Sequence, residues 1–212
     1  MNFTAPFRLL RLPMLSLCVL ALAGCSLLPA PSSDPTRYYV LNRVVPDVTQ
    51  PAKAEKALVL GLKRIEIAPY LNGKDLVVRE AGNEITYHSF SRWAEPLATS
   101  IGHALADRLG VSPQVSRVYT QPYPFEVVRD YDVAVIISRC EGERRVDGRT
   151  VASLVAVLEI TEAAVGGSIV LRKTFTAPEL AWDGKDFGAL AVALSAGVDA
   201  LGAELTQSLP AR

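Results

Sequence analysis

An α+β fold, with a mixed, largely antiparallel sheet and two amphipathic helices packed on one of its faces, is predicted for this chain of 212 residues. Three observations predict it. Short β-branched and aromatic runs outnumber helical ones. Turn dipeptides stand between neighbouring runs at Gly82-Asn83, Asp147-Gly148 and Gly166-Gly167, as hairpins require. Two stretches keep a helical period, one mid-chain and one near the end. Strands, helix, strands, helix is an order in which helices gather on one side of a sheet.

The first 24 residues stand apart. Arg8 and Arg11 precede an apolar run from Leu12 to Leu22, and Leu22-Ala23-Gly24-Cys25 closes it. A positive flank, an apolar centre and small residues before a cut site are the parts of a secretory signal. The run is shorter than the ~20 residues of a membrane span. Leu-Ala-Gly-Cys matches the bacterial lipobox, which makes residues 1–24 a cleaved leader and Cys25 an acylated first residue. The competing reading is a secreted protein with a chance cysteine near its cut site. Burying acyl carbons contributes about 0.8 kcal/mol per CH₂, so several chains hold a protein at a bilayer for its lifetime. Ser26 resembles the outer-membrane sorting class, since Asp there tends to retain a lipoprotein in the inner membrane.

Ser26 to Thr36 holds three prolines and three serines and has no apolar period. Residues 25–36 therefore read as an acylated, extended tether reaching up to ~30 Å. Residues 37–212 read as one domain. Tyr38 to Val44 is aromatic and β-branched, a first strand, and Pro46 to Glu55 is a loop. Ala57 to Ala68 opens apolar and then alternates, with Ile65 and Ile67 on one face and Arg64 and Glu66 on the other. The pattern predicts one strand, buried first and half-exposed later. Leu76 to Arg79 and Glu84 to His88 form a hairpin about Gly82-Asn83.

Leu97, Ile101, Leu105 and Leu109 then recur every four residues beside Ala94, Ala98 and Ala104, the stripe of an amphipathic helix. Ser91 suits its cap, Pro96 its first turn and Gly110 its stop. Val115 to Tyr119 is a short strand, and Gln121 to Phe125 a loop with its own packing. Tyr131 to Arg144, Thr150 to Thr161 and Ser168 to Thr176 form an antiparallel meander. Phe187, Leu190, Leu194, Val198, Leu201 and Leu205 line a last helix from about Asp186 to Ser208, which Pro210 ends.

Composition narrows the function. Basic and acidic residues number 22 each, and losing Arg8 and Arg11 with the leader leaves the mature chain slightly acidic. No long-range field draws nucleic acid to it. Cys18 departs with the leader and Cys25 is acylated, so Cys140 has no partner for an internal disulfide. Its place at the end of the apolar run Val133 to Ile137 makes it a buried small hydrophobe, with a reactive thiol as the alternative. The chain has no Gly-x-Ser-x-Gly, phosphate loop, GxGxxG or His-Glu-x-x-His. Its two histidines, His88 and His103, do not group into a metal site, and no catalytic residue, metal or cofactor is assigned. Arg139, Glu141, Glu143, Arg144, Arg145 and Asp147 crowd the first meander turn. They read as a solvated hairpin tip or, alternatively, a docking surface. In Phe90 to Leu97, Trp93 anchors the start of the helix against the sheet, with Arg92 and Glu95 satisfying backbone or each other. The alternative there is a binding hot spot, for which Trp and Arg are enriched.

An ordered set of segments carries a resemblance. Tyr38-Tyr39-Val40-Leu41 after the lipobox is followed by Ile65-Glu66-Ile67-Ala68-Pro69-Tyr70-Leu71, Leu76-Val77-Val78-Arg79 and Arg92-Trp93-Ala94-Glu95-Pro96-Leu97. The set is similar to the PqiC-like family of auxiliary lipoproteins of ABC-type and MCE transport systems, over the whole mature chain. The resemblance implies a non-enzymatic lipoprotein on the periplasmic face of the outer membrane, held there by its acyl chains. Its implied partners are a periplasm-spanning MCE-domain protein and, through it, an inner-membrane transporter; a homo-oligomeric ring is compatible with it. Pro69, Tyr70, Arg79, Arg92, Trp93, Glu95 and Pro96 become candidate partner-binding or structural residues. Three other readings stay open: a periplasmic lipid carrier or chaperone with an apolar cavity between helices and sheet, a structural lipoprotein of another envelope assembly, and an envelope hydrolase.

Overall fold

Residue pairing in the computed structural model, which describes residues 33–43 and 53–211, is organised by one long strand. In chain order the elements are β1 (Arg37–Tyr39), β2 (Leu58–Leu62), β3 (Glu66–Ile67), β4 (Asp75–Arg79), β5 (Ile85–Trp93) and α1 (Leu97–Gly110). They continue with β6 (Val115–Thr120), β7 (Tyr131–Arg144), β8 (Thr150–Glu162), β9 (Ile169–Thr176), β10 (Leu180–Ala181) and α2 (Phe187–Gln207). The expectations for the leader, Cys25, Ser26 and most of the tether lie outside the described residues. So does most of the loop expected from Pro46.

β7 pairs antiparallel with β8 along its whole length, from Tyr131↔Glu162 to Arg144↔Thr150. Its other edge is shared end to end by three short parallel partners. β2 takes the start (Leu60↔Tyr131), β3 the middle (Glu66↔Ile136) and β4 the end (Arg79↔Glu143). Outside them, β6 lies parallel to β2, β5 antiparallel to β4, and β1 parallel to β5. β9 and β10 both pair antiparallel with β8. The long pairings are antiparallel and the short ones mostly parallel, so the expected mixed α+β sheet is observed. Both hairpin turns of the meander carry their glycine at positive φ, 83° at Gly148 and 72° at Gly166.

The stripe residues close the core. Ile101, Leu105 and Leu109 of α1 and Leu190, Leu194, Leu201 and Leu205 of α2 are buried with Leu60, Leu62, Ile137, Leu154, Leu158 and Ile160 of the sheet. The two helices pack on each other as well as on the strands. A Cβ on Gly202 would fall 2.6 Å from Arg108 Cγ, so the helices approach as closely as a bare backbone allows. α2 is long and apolar enough to cross a membrane, but half of that stretch is buried within the domain. Its N-terminus is capped by Asp186, whose Oδ1 accepts from the backbone N–H of Gly188 at 2.8 Å and of Ala189 at 3.2 Å.

Several expectations are corrected. Ala57 to Ala68 is two strands: from Leu62 to Glu66 is four residues while their partners Val133 and Ile136 are three apart. The extra residue is absorbed where Lys63 N–H donates to the Val133 carbonyl at 2.9 Å. The first strand stops at Tyr39, although Leu41 beyond it is buried. Ser91 caps nothing; it lies buried in β5 opposite Arg37, because β1 keeps the chain extended through Trp93. Pro96 holds the cap position instead, its carbonyl accepting from Thr99 and Ser100 N–H at 2.9 and 3.0 Å, and Ala94 lies outside the helix. Gly110 is the last helical residue rather than a left-handed stop. Lys53 Nζ closes that end by donating to the carbonyls of Gly110 (2.6 Å) and Ser112 (3.1 Å), where a cation suits the helix dipole.

Candidate functional site

A bulge in β7 builds a polar cluster around a buried carboxylate. Val133, Val135 and Ile137 face the helices, but the register against β8 slips between Ile137 and Arg139. Past the slip Cys140 takes over the buried core positions, and a bulge of this kind re-aims the side chains that follow it. Glu141 therefore points to the sheet face away from the helices. Its neighbour Gly142 points toward them, with the Trp182 ring so close that a Cβ would fall 2.7 Å from Cζ3.

Two residues of separate sequence motifs converge on Glu141. Arg79, at the end of β4, donates from Nε to Glu141 Oε1 at 2.6 Å. Tyr70, in the 3₁₀ turn Pro69–Leu71, has its hydroxyl 2.6 Å from Glu141 Oε2 and 3.0 Å from the Ser138 carbonyl oxygen. Arg79 Nη2 donates to the same hydroxyl at 3.2 Å, and its guanidinium lies 5.6 Å from the Tyr70 ring centroid. The turn is held by Leu71, which is buried, and by Ala68 N–H donating to the Ile137 carbonyl at 2.9 Å. Pro69 is exposed at its start.

The electrostatics close this cluster on itself. The Glu141 side chain is wholly buried and that of Arg79 is 16% exposed. Burial, reinforced by the Glu141 carboxylate, pushes the Tyr70 hydroxyl above its ordinary range, so it stays protonated and donates. Burial pulls the Arg79 guanidinium down, but the bonds to Glu141 and Tyr70 outweigh it and leave its pKa raised. Each carboxylate oxygen is thus matched by a donor, which is what keeps a buried charge tolerable. The cluster works as a fastener between β4, β7 and the 3₁₀ turn. As an acid–base centre it has no loosely held proton to give.

The other motif residues form a joint where β1, β4, β5 and α1 meet. Trp93 is buried, aligned with Tyr39, and its backbone N–H donates to the Lys74 carbonyl at 2.6 Å. Arg92 forms an ion pair with Asp75 at 2.9 Å. Glu95 Oε1 accepts from Ser100 Oγ at 2.9 Å, and its Oε2 is 3.7 Å from His103 Nδ1. Pro96 is exposed at the helix cap. Arg92 and Glu95 therefore bind other elements rather than each other. Cys140 is buried, and burial pushes its thiol up to about 12. The His88 ring lies 4.4 Å from that of Phe187, tilted 46° to it. Among the described residues no group of three or more His, Cys, Asp or Glu is placed to hold a metal ion. The gap between helices and sheet is packed rather than hollow at α2, where Gly197 sits against Leu154 and Ala177.

Sequence reasoning named Tyr70 and Arg79 and brought neither to the other, and it assigned Glu141 to the solvated hairpin tip. The signal available was its position between Cys140 and Gly142 inside an apolar strand. Most other tip charges do pair at the surface: Arg144 with Glu80, Arg145 with Glu179, Arg149 with Asp147.

A family model described as "ABC-type transport auxiliary lipoprotein component" matches residues 39–206. No curated protein matches the sequence. Among solved structures, protein XCC0632 from Xanthomonas campestris shares 18% identity at a TM-score of 0.66, covering 80% of this chain and 92% of that one. A second crystal structure, of an uncharacterized protein, shares 19% identity at a TM-score of 0.59, over 81% of this chain and 97% of that one. A PelC dodecamer from Paraburkholderia phytofirmans is more distant, at 15% identity, 77% and 96% coverage and a TM-score of 0.46.

Proposed function

Since the chain belongs to the family of ABC-type transport auxiliary lipoprotein components, we propose that it serves such a transporter by docking rather than by chemistry. Acylated at Cys25 and sorted by Ser26 to the outer membrane, it presents a rigid α+β domain on the periplasmic face. There it secures an MCE-domain protein that links it to an inner-membrane complex. The observation that supports a docking role best is how the family-motif residues are used. Tyr70 and Arg79 are bound to buried Glu141, Trp93 is in the core, and Arg92 and Glu95 tie strand ends and helix together. These side chains hold a shape, and a shape is what an accessory subunit offers its partner.

The anchor tests the reading. Cys25→Ala is expected to move the protein from the membrane to the soluble envelope fraction and to abolish transport with it. Full transport by the unacylated, soluble protein would overturn the docking role. Wild-type protein isolated from envelope membranes is expected to bring transporter subunits with it.

A further inference from the structure

A cleft of about 230 Å³ opens between the first turns of α1, the end of β6 and residues 63–65, which link β2 to β3. Leu62 and Ile65, both buried, form its floor. Gly102 keeps it open from the helix side, where even a bare Cβ would fall 3.4 Å from Ile65 Cγ1. Its walls are rich in hydrogen-bond donors. Lys63 and Arg64 stand where the extra residue between β2 and β3 is absorbed, the first half-buried and the second exposed. Gln121 accepts the Arg64 backbone N–H on Oε1 at 3.2 Å, so its amide nitrogen is a spare donor. Thr99 and Thr120 add hydroxyls, and His103 adds a ring whose Nδ1 lies 3.7 Å from Glu95 Oε2.

The charges of this cleft are unspent, and that sets it apart. Among the described residues no carboxylate lines it, and neither Lys63 nor Arg64 forms an ion pair. Other depressions neutralise their own cations. At the β7–β8 tip Arg144 faces Glu80 and Arg145 faces Glu143, each at 3.6 Å. A second depression bordered by Lys63 and Arg64 holds Glu66 and Glu159 as well, and there Arg172 pairs with Glu159 at 3.7 Å. In the cleft against α1, two like charges at neighbouring positions have only neutral donors and the His103 ring for company. An anion bound beside them relieves their repulsion.

We propose that this cleft binds a phosphate group, free or esterified in a phospholipid headgroup. A guanidinium fork and an ammonium point charge suit phosphate oxygens, and the threonine hydroxyls and the Gln121 amide supply further donors to them. Size limits the rest of the ligand. The cleft is smaller than the ~300–1,000 Å³ of sites that enclose drug-sized molecules, so a headgroup enters and acyl chains stay outside. The site does not depend on the docking role, and neither falls with the other.

The full-length protein, extracted in a maltoside detergent, is titrated by calorimetry with inorganic phosphate and with glycerophosphoglycerol, the deacylated headgroup of phosphatidylglycerol. Saturable binding is expected; tighter binding of glycerophosphoglycerol identifies the lipid headgroup as the source, and tighter binding of phosphate the free anion. Binding of neither overturns the proposal. Lys63→Gln/Arg64→Gln is expected to weaken binding at least about tenfold with an unchanged melting temperature. Arg149→Gln/Lys185→Gln, which removes the same charge elsewhere, is expected to leave it unchanged. Equal weakening by both pairs, or none by the first, overturns the site. Should the first pair fold poorly, the chain's two histidines decide in wild-type protein. With isotope-labelled histidine, the His103 ring signal is expected to move as the bound probe is added, and that of His88, packed against Phe187, to stay. A His103 signal that stays still while heat saturates puts the anion elsewhere and overturns the proposal.

Discussion

Glu141 shows how one side chain can hold distant segments together at the cost of a buried charge. Removing it leaves the Arg79 guanidinium largely buried without its partner, and breaking a buried pair from one side costs about 3–5 kcal/mol. Glu141→Ala is therefore expected to lower unfolding stability by about 3 kcal/mol in urea titrations, and Tyr70→Phe by about 1 kcal/mol. An unchanged midpoint in Glu141→Ala would show that the cluster does not bear on the fold. His88 supplies a pH dependence. Burial against Phe187, with Arg144 adding repulsion, lowers its pKa below the ordinary 6.5. The fold accepts the neutral ring, and the unfolded chain takes up the proton first. Its contribution is complete above pH about 6.5 and is lost as pH falls through the lower folded value. His88→Gln is expected to flatten the fall of the melting temperature as pH drops below about 6.5, read by circular dichroism.

At the scale of elements, the caps and close approaches carry the predictions. Asp186→Ala removes the side-chain acceptor for two N–H groups of α2 and is expected to cost about 1 kcal/mol. Gly142→Ala drives a methyl into the Trp182 ring; overpacking of this kind costs about 1–3 kcal/mol, measurable by the same titration. The meander and α2 were legible in the sequence because the β-branched runs end at marked turns and the helical stripe runs unbroken to a proline stop. The bulge after Ile137 was not: one inserted residue reverses the alternation, and nothing local announces it. Ser91 misled for a related reason. Its fate depends on pairing with Arg37, a partner more than fifty positions earlier, and such long-range pairing overrides a local cap preference. Tyr70 and Arg79 could be singled out one by one, but their shared carboxylate was hidden by the same bulge.

For the whole molecule, the unequal edges of β7 set a hierarchy of protection. Its central amides, paired with β8 and covered by both helices, are expected to exchange hydrogen most slowly, and those of β6 and β1, at the rims of the sheet, faster. Hydrogen exchange followed by mass spectrometry of peptides reads this directly. The three short strands on the far edge of β7 have a further consequence. β3 pairs with β7 alone. β2 and β4 also pair with β6 and β5, yet each takes a second seat along β7, more than fifty residues later in the chain. Local pairing by itself therefore does not complete this half of the sheet. The sheet closes only once the Tyr131–Glu162 hairpin stands as the template to which both its halves are joined.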